Sequence, residues 1–359
     1  MQLRDEAHAP RRHTTTRASI RIAGLLLGAA VLLGPASAFW EGGSSVAQRV
    51  EIPPLYVTIV VHNEEDTSRG VLPKAQIPDY DGDAALMAHF ADAMRAFAEM
   101  AQSHGARINF GSDWTFSRGV AAHEPTFYVE LDALGHEIDA HAHESSVRYH
   151  EVREEILVAD GNPTDVASGM NEEEIEEQLE YFDRYYPEFR VLWGVALPGH
   201  DAGECIAAWV WRPSRDDWTK HDPRGRYIYV GHGELVNSFD AVRRGVAARR
   251  ADRVNTIALF VSPREFKAAA GTAGIEAQWT APTDSVHFWR NRIELWDDLL
   301  DEIDALVDVG AVAYASLTEI VSIFEEKEAA GELDFAFGEV PRSYDSMRAR
   351  NLRAGYPLD

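Results

Sequence analysis

The chain has a single cysteine, Cys205, in 359 residues. No intrachain disulfide can form, so the fold must rest on its apolar core. A lone cysteine reads more simply as a packed or incidental side chain than as a reactive thiol. Basic residues are scarce: 34 Lys and Arg stand against 59 Asp and Glu, a net charge of −25. Such a surface repels phosphate backbones and anionic lipid, which excludes nucleic acid and membrane surfaces as partners. The sequence has no Gly-rich phosphate loop, no G-x-S-x-G elbow and no cysteine cluster for zinc. One N-terminal apolar run is short for a permanent anchor, and no later segment is apolar enough to span a bilayer.

That run belongs to a three-part segment. Arg11, Arg12, Arg17 and Arg21 form a basic stretch, Ile22 to Gly34 is apolar, and Ala36-Ser37-Ala38 supplies small residues. This is the pattern of a signal peptide cleaved before Phe39, and it predicts an exported, periplasmic or secreted protein. The chain divides into a signal at 1–38, a lead-in at 39–54, a catalytic-size domain at 55–330 and an extension at 331–359. A mature chain of about 320 residues is near the limit for one core, and barrel-type α/β folds use that length as one domain.

Within 55–330 the hydrophobic period switches repeatedly between two and 3.6. Tyr56 to Val61 is a β-branched run and predicts a buried strand. Leu86, Phe90, Met94, Phe97 and Ala101 predict a helix closed near Gly105. Strands follow at 107–110, 137–143, 191–197, 226–230, 256–261 and 311–315. Helices are expected at 124–134, from Asn171 through Phe182, from Ile293 to Val307, and at 317–328. Seven strands alternating with helices imply a mainly parallel sheet, closed as an irregular (β/α) barrel. The stretch from Glu204 to Asp222 has no clean period. Its Trp209, Trp211 and Trp218 serve packing or offer faces for sugar rings.

The sharpest chemical feature is Asp139-Ala140-His141-Ala142-His143. Residues two apart on a strand share a face. Two imidazoles and a carboxylate on one face suit a divalent metal, or a hydrogen-bonded histidine pair. His62 and Glu64 share a face at the end of the first strand. Ligands from two parallel strand ends converge at the C-terminal mouth of a barrel. His287 precedes the long helix, a mouth position where a histidine serves as general acid or as a structural group. His200-Asp201 and His232 are further rim candidates.

Leu134-Gly135-His136-Glu137-Ile138-Asp139-Ala140-His141 is similar to the Gly-His-Glu-Ile-Gly-Asn-His segment of the polysaccharide deacetylase family. Val286-His287 through Ala315-Ser316-Leu317-Thr318-Glu319-Ile320 resembles that family's C-terminal His, helix, strand and Thr-Leu-x-Glu-Ile close. His62-Asn63-Glu64 stands where the family has an Asp-Asp pair. Ser145 occupies the position of the second metal histidine, which leaves His143 to substitute. Leu197-Pro198-Gly199-His200 stands near the place of an Arg-Pro-Pro segment. The resemblance implies a divergent deacetylase-like barrel and a metal-dependent hydrolase acting on a carbohydrate. The metal, expected to be zinc, would be held by His141 and His143 with Glu64 or His62. Asp139 or Glu64 would be the base and His287 the acid. A glycosidase on the same barrel and a non-catalytic carbohydrate-binding envelope protein are the alternatives.

Overall fold

A computed structural model describes residues 52–63, 80–142, 147–169, 175–194, 207–216, 220–233, 237–261 and 288–335. All of them lie in one compact unit, Val50–Asp359. The segment expected to be a signal peptide, with Glu64, His143, Ser145, His200, Cys205, Trp218 and His287, lies outside the described residues.

The strands are β1 (Leu55–Asn63), β2 (Ile108–Ser112), β3 (Glu137–His141), β4 (Pro163–Ser168), β5 (Val191–Trp193), β6 (Ala208–Trp211), β7 (Ile228–Val230), β8 (Asn255–Val261) and β9 (Val312–Tyr314). Their order is β2-β3-β4-β5-β7-β6-β8-β1-β9, and β2 also pairs with β1. That last pairing closes an eight-stranded barrel. β1 meets β9 through Leu55–Val57 and β2 through Ile59–Asn63, so β9 fills the lower part of the seam. All pairings are parallel except those of β6 with β7 and β8.

The expected barrel is present, but the described residues form nine strands where seven were expected, eight of them closing the barrel and β9 pairing outside it with β1. The two additions are β4 and β6. β4 begins with Pro163 and carries Thr164, Asp165 and Ser168, so it lacks the β-branched run that marks β1. β6 is only four residues long and lies in the tryptophan-rich stretch without a period. The strand expected at 137–143 ends at His141.

The helices are α1 (Ala84–Ser103), α2 (Trp114–His123), α3 (Phe127–Ala133), α4 (Tyr149–Val158), α5 (Ile175–Tyr185), α6 (Phe239–Ala248), α7 (Phe288–Val307) and α8 (Leu317–Ala329). Asp83 caps α1 by accepting from the N–H groups of Ala85 and Leu86. The predicted stripe Leu86, Phe90, Met94, Phe97 and Ala101 is buried against the sheet. Asp113 caps α2 in the same way, through Phe116 N–H. The helix expected at 124–134 is α3, which begins at Phe127, while α2 before it lies in a stretch where no helix was expected.

Apolar side chains form two layers. One lies between the barrel and its helices, with Phe90, Phe97, Phe110, Phe182 and Leu259. The other fills the barrel, with Val60, Val166, Val191, Trp193, Val210, Ile228 and Ala258. Leu317, Ile320, Val321 and Phe324 of α8 join this inner layer. Ser316 caps α8 in a reciprocal box with Glu319. The first N–H groups of α8 reach inside: Leu317 donates to Asn109 Oδ1 at 3.0 Å and Thr318 to Glu137 Oε2 at 3.3 Å. Both acceptors sit near the starts of β2 and β3, so α8 plugs the N-terminal end of the barrel. Among the described residues, no helix is long and apolar enough to cross a membrane.

Candidate functional site

Alternation places Val60 and His62 of β1, Asn109 and Gly111 of β2, and Glu137, Asp139 and His141 of β3 on the inner face. Register sets His62 beside Gly111 and His141 beside Ser168 of β4. Gly111 has no side chain, and the two imidazoles meet across it. A Cβ at Gly111 would lie 2.9 Å from His62 Cδ2, 3.1 Å from Ser168 Oγ and 3.4 Å from His141 Cβ. The rings of His62 and His141 are 3.7 Å apart between centroids and inclined at 33°. Both residues are buried. Trp193 and Phe260 press edge-on against His62, at 5.4 and 4.9 Å.

Ser168 ties the pair together. Its Oγ is 3.0 Å from His62 Nε2. Its backbone oxygen is 2.8 Å from His141 Nδ1 and also accepts from Tyr149 Oη at 3.2 Å. A carbonyl can only accept, so His141 Nδ1 carries a proton and the neutral ring keeps its lone pair on Nε2. The chain then turns at Gly169, whose φ of +81° suits glycine. A Cβ there would fall 2.3 Å from His141 Cε1.

Asp139 shares the inner face with His141 but lies one layer deeper. It is wholly buried. Asn109 Nδ2 donates to its Oδ2 at 3.0 Å and Thr164 Oγ1 to its Oδ1 at 2.5 Å. It makes no hydrogen bond to either imidazole. Burial, reinforced by the neighbouring Glu137, pushes its carboxyl well above the ordinary range, against the pull of Thr164 and Asn109. Glu137 accepts from Asn109 Nδ2 at 2.7 Å, from Ser316 Oγ at 2.5 Å and from Thr318 Oγ1. These two inner carboxylates thus belong to a polar seam that runs down to the start of α8.

The remaining candidates separate clearly. His136 accepts from Ile108 N–H through Nδ1 at 3.1 Å and donates from Nε2 to Ala98 O at 3.0 Å. Both nitrogens are spent on joining β2 to α1, so the first histidine of the motif is architectural. His232 is buried past the end of β7 and donates from Nδ1 to Gly233 O at 2.6 Å. Burial pushes it down to about 4, against that bond, so it is neutral at pH 7. Trp211 is buried against Tyr229, and Arg253 covers Trp209 at 4.3 Å. Trp211 is thus spent on packing, and Trp209 is half-buried beneath the Arg253 guanidinium.

Among the described residues, one group places three metal-type ligand atoms within 4.8 Å of one another: His104, Asp301 and Asp304. It lies between the C-terminus of α1 and α7. His104 bonds Asp304 through Nδ1 at 2.7 Å and Asp297 through Nε2 at 2.9 Å. With both nitrogens on carboxylates the ring is an ion-paired cation, and neither lone pair is offered to a metal.

Sequence reasoning placed His62, Asp139 and His141 on the inner face of the mouth. It missed Gly111, Ser168, Trp193 and Phe260. The one signal that pointed to Gly111 was a glycine within a strand, which marks close approach of another group.

No protein-family profile and no curated protein matches the chain. Two solved structures are similar to it. A probable polysaccharide deacetylase from Pseudomonas aeruginosa PAO1 shares 9% identity, with a TM-score of 0.44 over 76% of this chain and 91% of its own. The Puue allantoinase shares 10% identity, with a TM-score of 0.42 over 78% of this chain and 92% of its own.

Proposed function

We propose that the chain is an exported, metal-dependent hydrolase that cleaves an acyl or related bond on a carbohydrate. The observation that carries this reading is the His62–His141 pair at the barrel mouth, with His141 Nδ1 held by the Ser168 carbonyl. Metal-binding histidines characteristically give their other ring N–H to such an acceptor, which fixes the tautomer. The donor set therefore fits a divalent cation, and imidazole with carboxylate suits zinc.

His62 and His141 would hold the ion, joined by Glu64 or His143 from the segments that continue β1 and β3. When bound, the metal supplies a polarising charge and an activated water. His287 is assigned the proton for the leaving group and Glu64 the role of base. Asp139 supports the site from below, as a protonated or partly protonated group that locks β3 to β2 and β4. Trp193 and Phe260 fix the His62 ring. The tripartite segment ending at Ala38 and the acidic surface support an exported protein acting on an uncharged or cationic glycan.

A two-carboxylate glycosidase finds less support. The inner carboxylates Glu137 and Asp139 are already engaged by Asn109, Thr164, Ser316 and Thr318. Incubation of the purified mature protein with acetylated glycans decides between these readings. Released acetate is expected. New reducing ends would make it a glycosidase, and glycan binding without turnover would make it a binding protein.

A further inference from the structure

Ser168 has no place in the motifs of the sequence, yet it touches both imidazoles. Its hydroxyl lies against His62 Nε2 at 3.0 Å, and its carbonyl against His141 Nδ1 at 2.8 Å. Tyr149 Oη donates to the same carbonyl, which fills its second lone pair and anchors it to α4. Ser168 is wholly buried. We propose that Ser168 is the positioning residue of this site, setting the tautomers of both histidines so that each offers one lone pair to a cation. The inference rests on the reading of His62 and His141 as a metal-holding pair.

A serine at hydrogen-bond distance from a histidine also has the spacing of a nucleophile and its base. The surroundings argue against that role. A Cβ added at Gly111 would come within 3.1 Å of Ser168 Oγ, so the hydroxyl is enclosed by the backbone of β2. A substrate carbonyl has no approach to it. The geometry suits an orienting group whose two oxygens act on two different rings.

The chemistry of each contact fixes what the rings offer. The carbonyl forces the proton of His141 onto Nδ1 and leaves the lone pair on Nε2. The hydroxyl can donate or accept. For His62 to serve a cation, its Nε2–H donates to Ser168 Oγ and its lone pair stays on Nδ1. The two rings therefore hold opposite tautomers, although one residue sets both. His141 depends on backbone and would be insensitive to a side-chain change at 168. His62 depends on the hydroxyl and would respond to it.

Long-range ¹H–¹⁵N spectra of the metal-free protein, at a pH where both imidazoles are neutral, read these tautomers directly. The wild type is expected to show His62 protonated at Nε2 and His141 at Nδ1. In Ser168→Ala, His62 should become a mixture while His141 is unchanged. Titration with zinc alone should show the dissociation constant raised roughly 10–100-fold in that variant, with Ser168→Thr restoring it. His62 protonated at Nδ1 in the wild type would overturn the proposal, and that observation needs no variant to fold. Equal zinc affinity in wild type and a folded Ser168→Ala would overturn it as well. A wild type that binds no zinc would refute the metal reading, whereas the tautomers would still decide the role of Ser168.

Discussion

The Nδ1–H of His141 on β3 donates to the backbone oxygen of Ser168 on β4, at 2.8 Å. The bond joins the ends of two neighbouring parallel strands at the mouth of the barrel. It places the neutral lone pair of His141 on Nε2, beside the ring of His62. Beneath the pair lies a second buried layer.

In that layer is Asp139, whose carboxyl burial holds well above the usual range. The folded state then binds more protons at this site than the unfolded chain. Stability contributed here is therefore highest in acid and declines as pH rises from about 4, the ordinary carboxylate value. Asp139→Asn keeps the shape and removes the titration. Its unfolding free energy should fall less than the wild type's between pH 5 and pH 8 in denaturant melts. Asp139→Ala should cost about 1–3 kcal/mol, through the lost hydrogen bonds to buried Asn109 and half-buried Thr164. Parallel pH profiles for wild type and Asp139→Asn would remove the buried titration.

At the other end of the barrel, His104 clamps α1 to α7. Burial works against its charge, but the hydrogen bonds to Asp304 and Asp297 outweigh it and raise its pKa. For a raised histidine the stabilisation is complete below the unfolded value, near 6.5, and is lost as pH rises through the folded value. His104→Gln should lower the melting temperature more at pH 5.5 than at pH 9. Asp301 and the Tyr314–Asp304 bond face the same spot and remain in both proteins. A melting difference that does not change with pH would show that the clamp is not ionic.

His287 carries the proposed acid role. A general acid contributes typically 10²–10⁴-fold, so His287→Ala should lower kcat by roughly that factor. Metal content should be unchanged, and the wild-type rate should fall as pH rises through the histidine pKa, since imidazolium is the donor. An unchanged kcat in the folded variant would remove His287 from the mechanism, and loss of metal would make it a ligand.

The sequence disclosed some of this and concealed the rest for physical reasons. β1 and β8 are apolar and β-branched over their buried lengths, so their period is plain. The stripe of α1 is equally plain, because its inner positions are all apolar. β4 was hidden because its inner positions Thr164 and Ser168 are polar, matched to Asp139 and His62 and not to a greasy neighbour. β6 was hidden by its four-residue length and its antiparallel insertion between β7 and β8. Asp139 and His141 were rightly placed on one face, but a two-residue step also puts them in different layers. That step separates a buried structural acid from a mouth histidine. The His62–His141 contact required the β1–β2 closure and the empty side of Gly111, and neither is a property of a local motif. Ser168 acts partly through its carbonyl, which no side-chain pattern encodes.

His62 and His141 are proposed to hold a metal ion. Elemental analysis of the purified protein tests this most directly alongside the His62→Ala/His141→Ala double variant. About one divalent ion per chain, zinc, is expected in the wild type, and none in the folded double variant. A wild type that carries no metal, or a double variant that keeps the wild-type content, would contradict it.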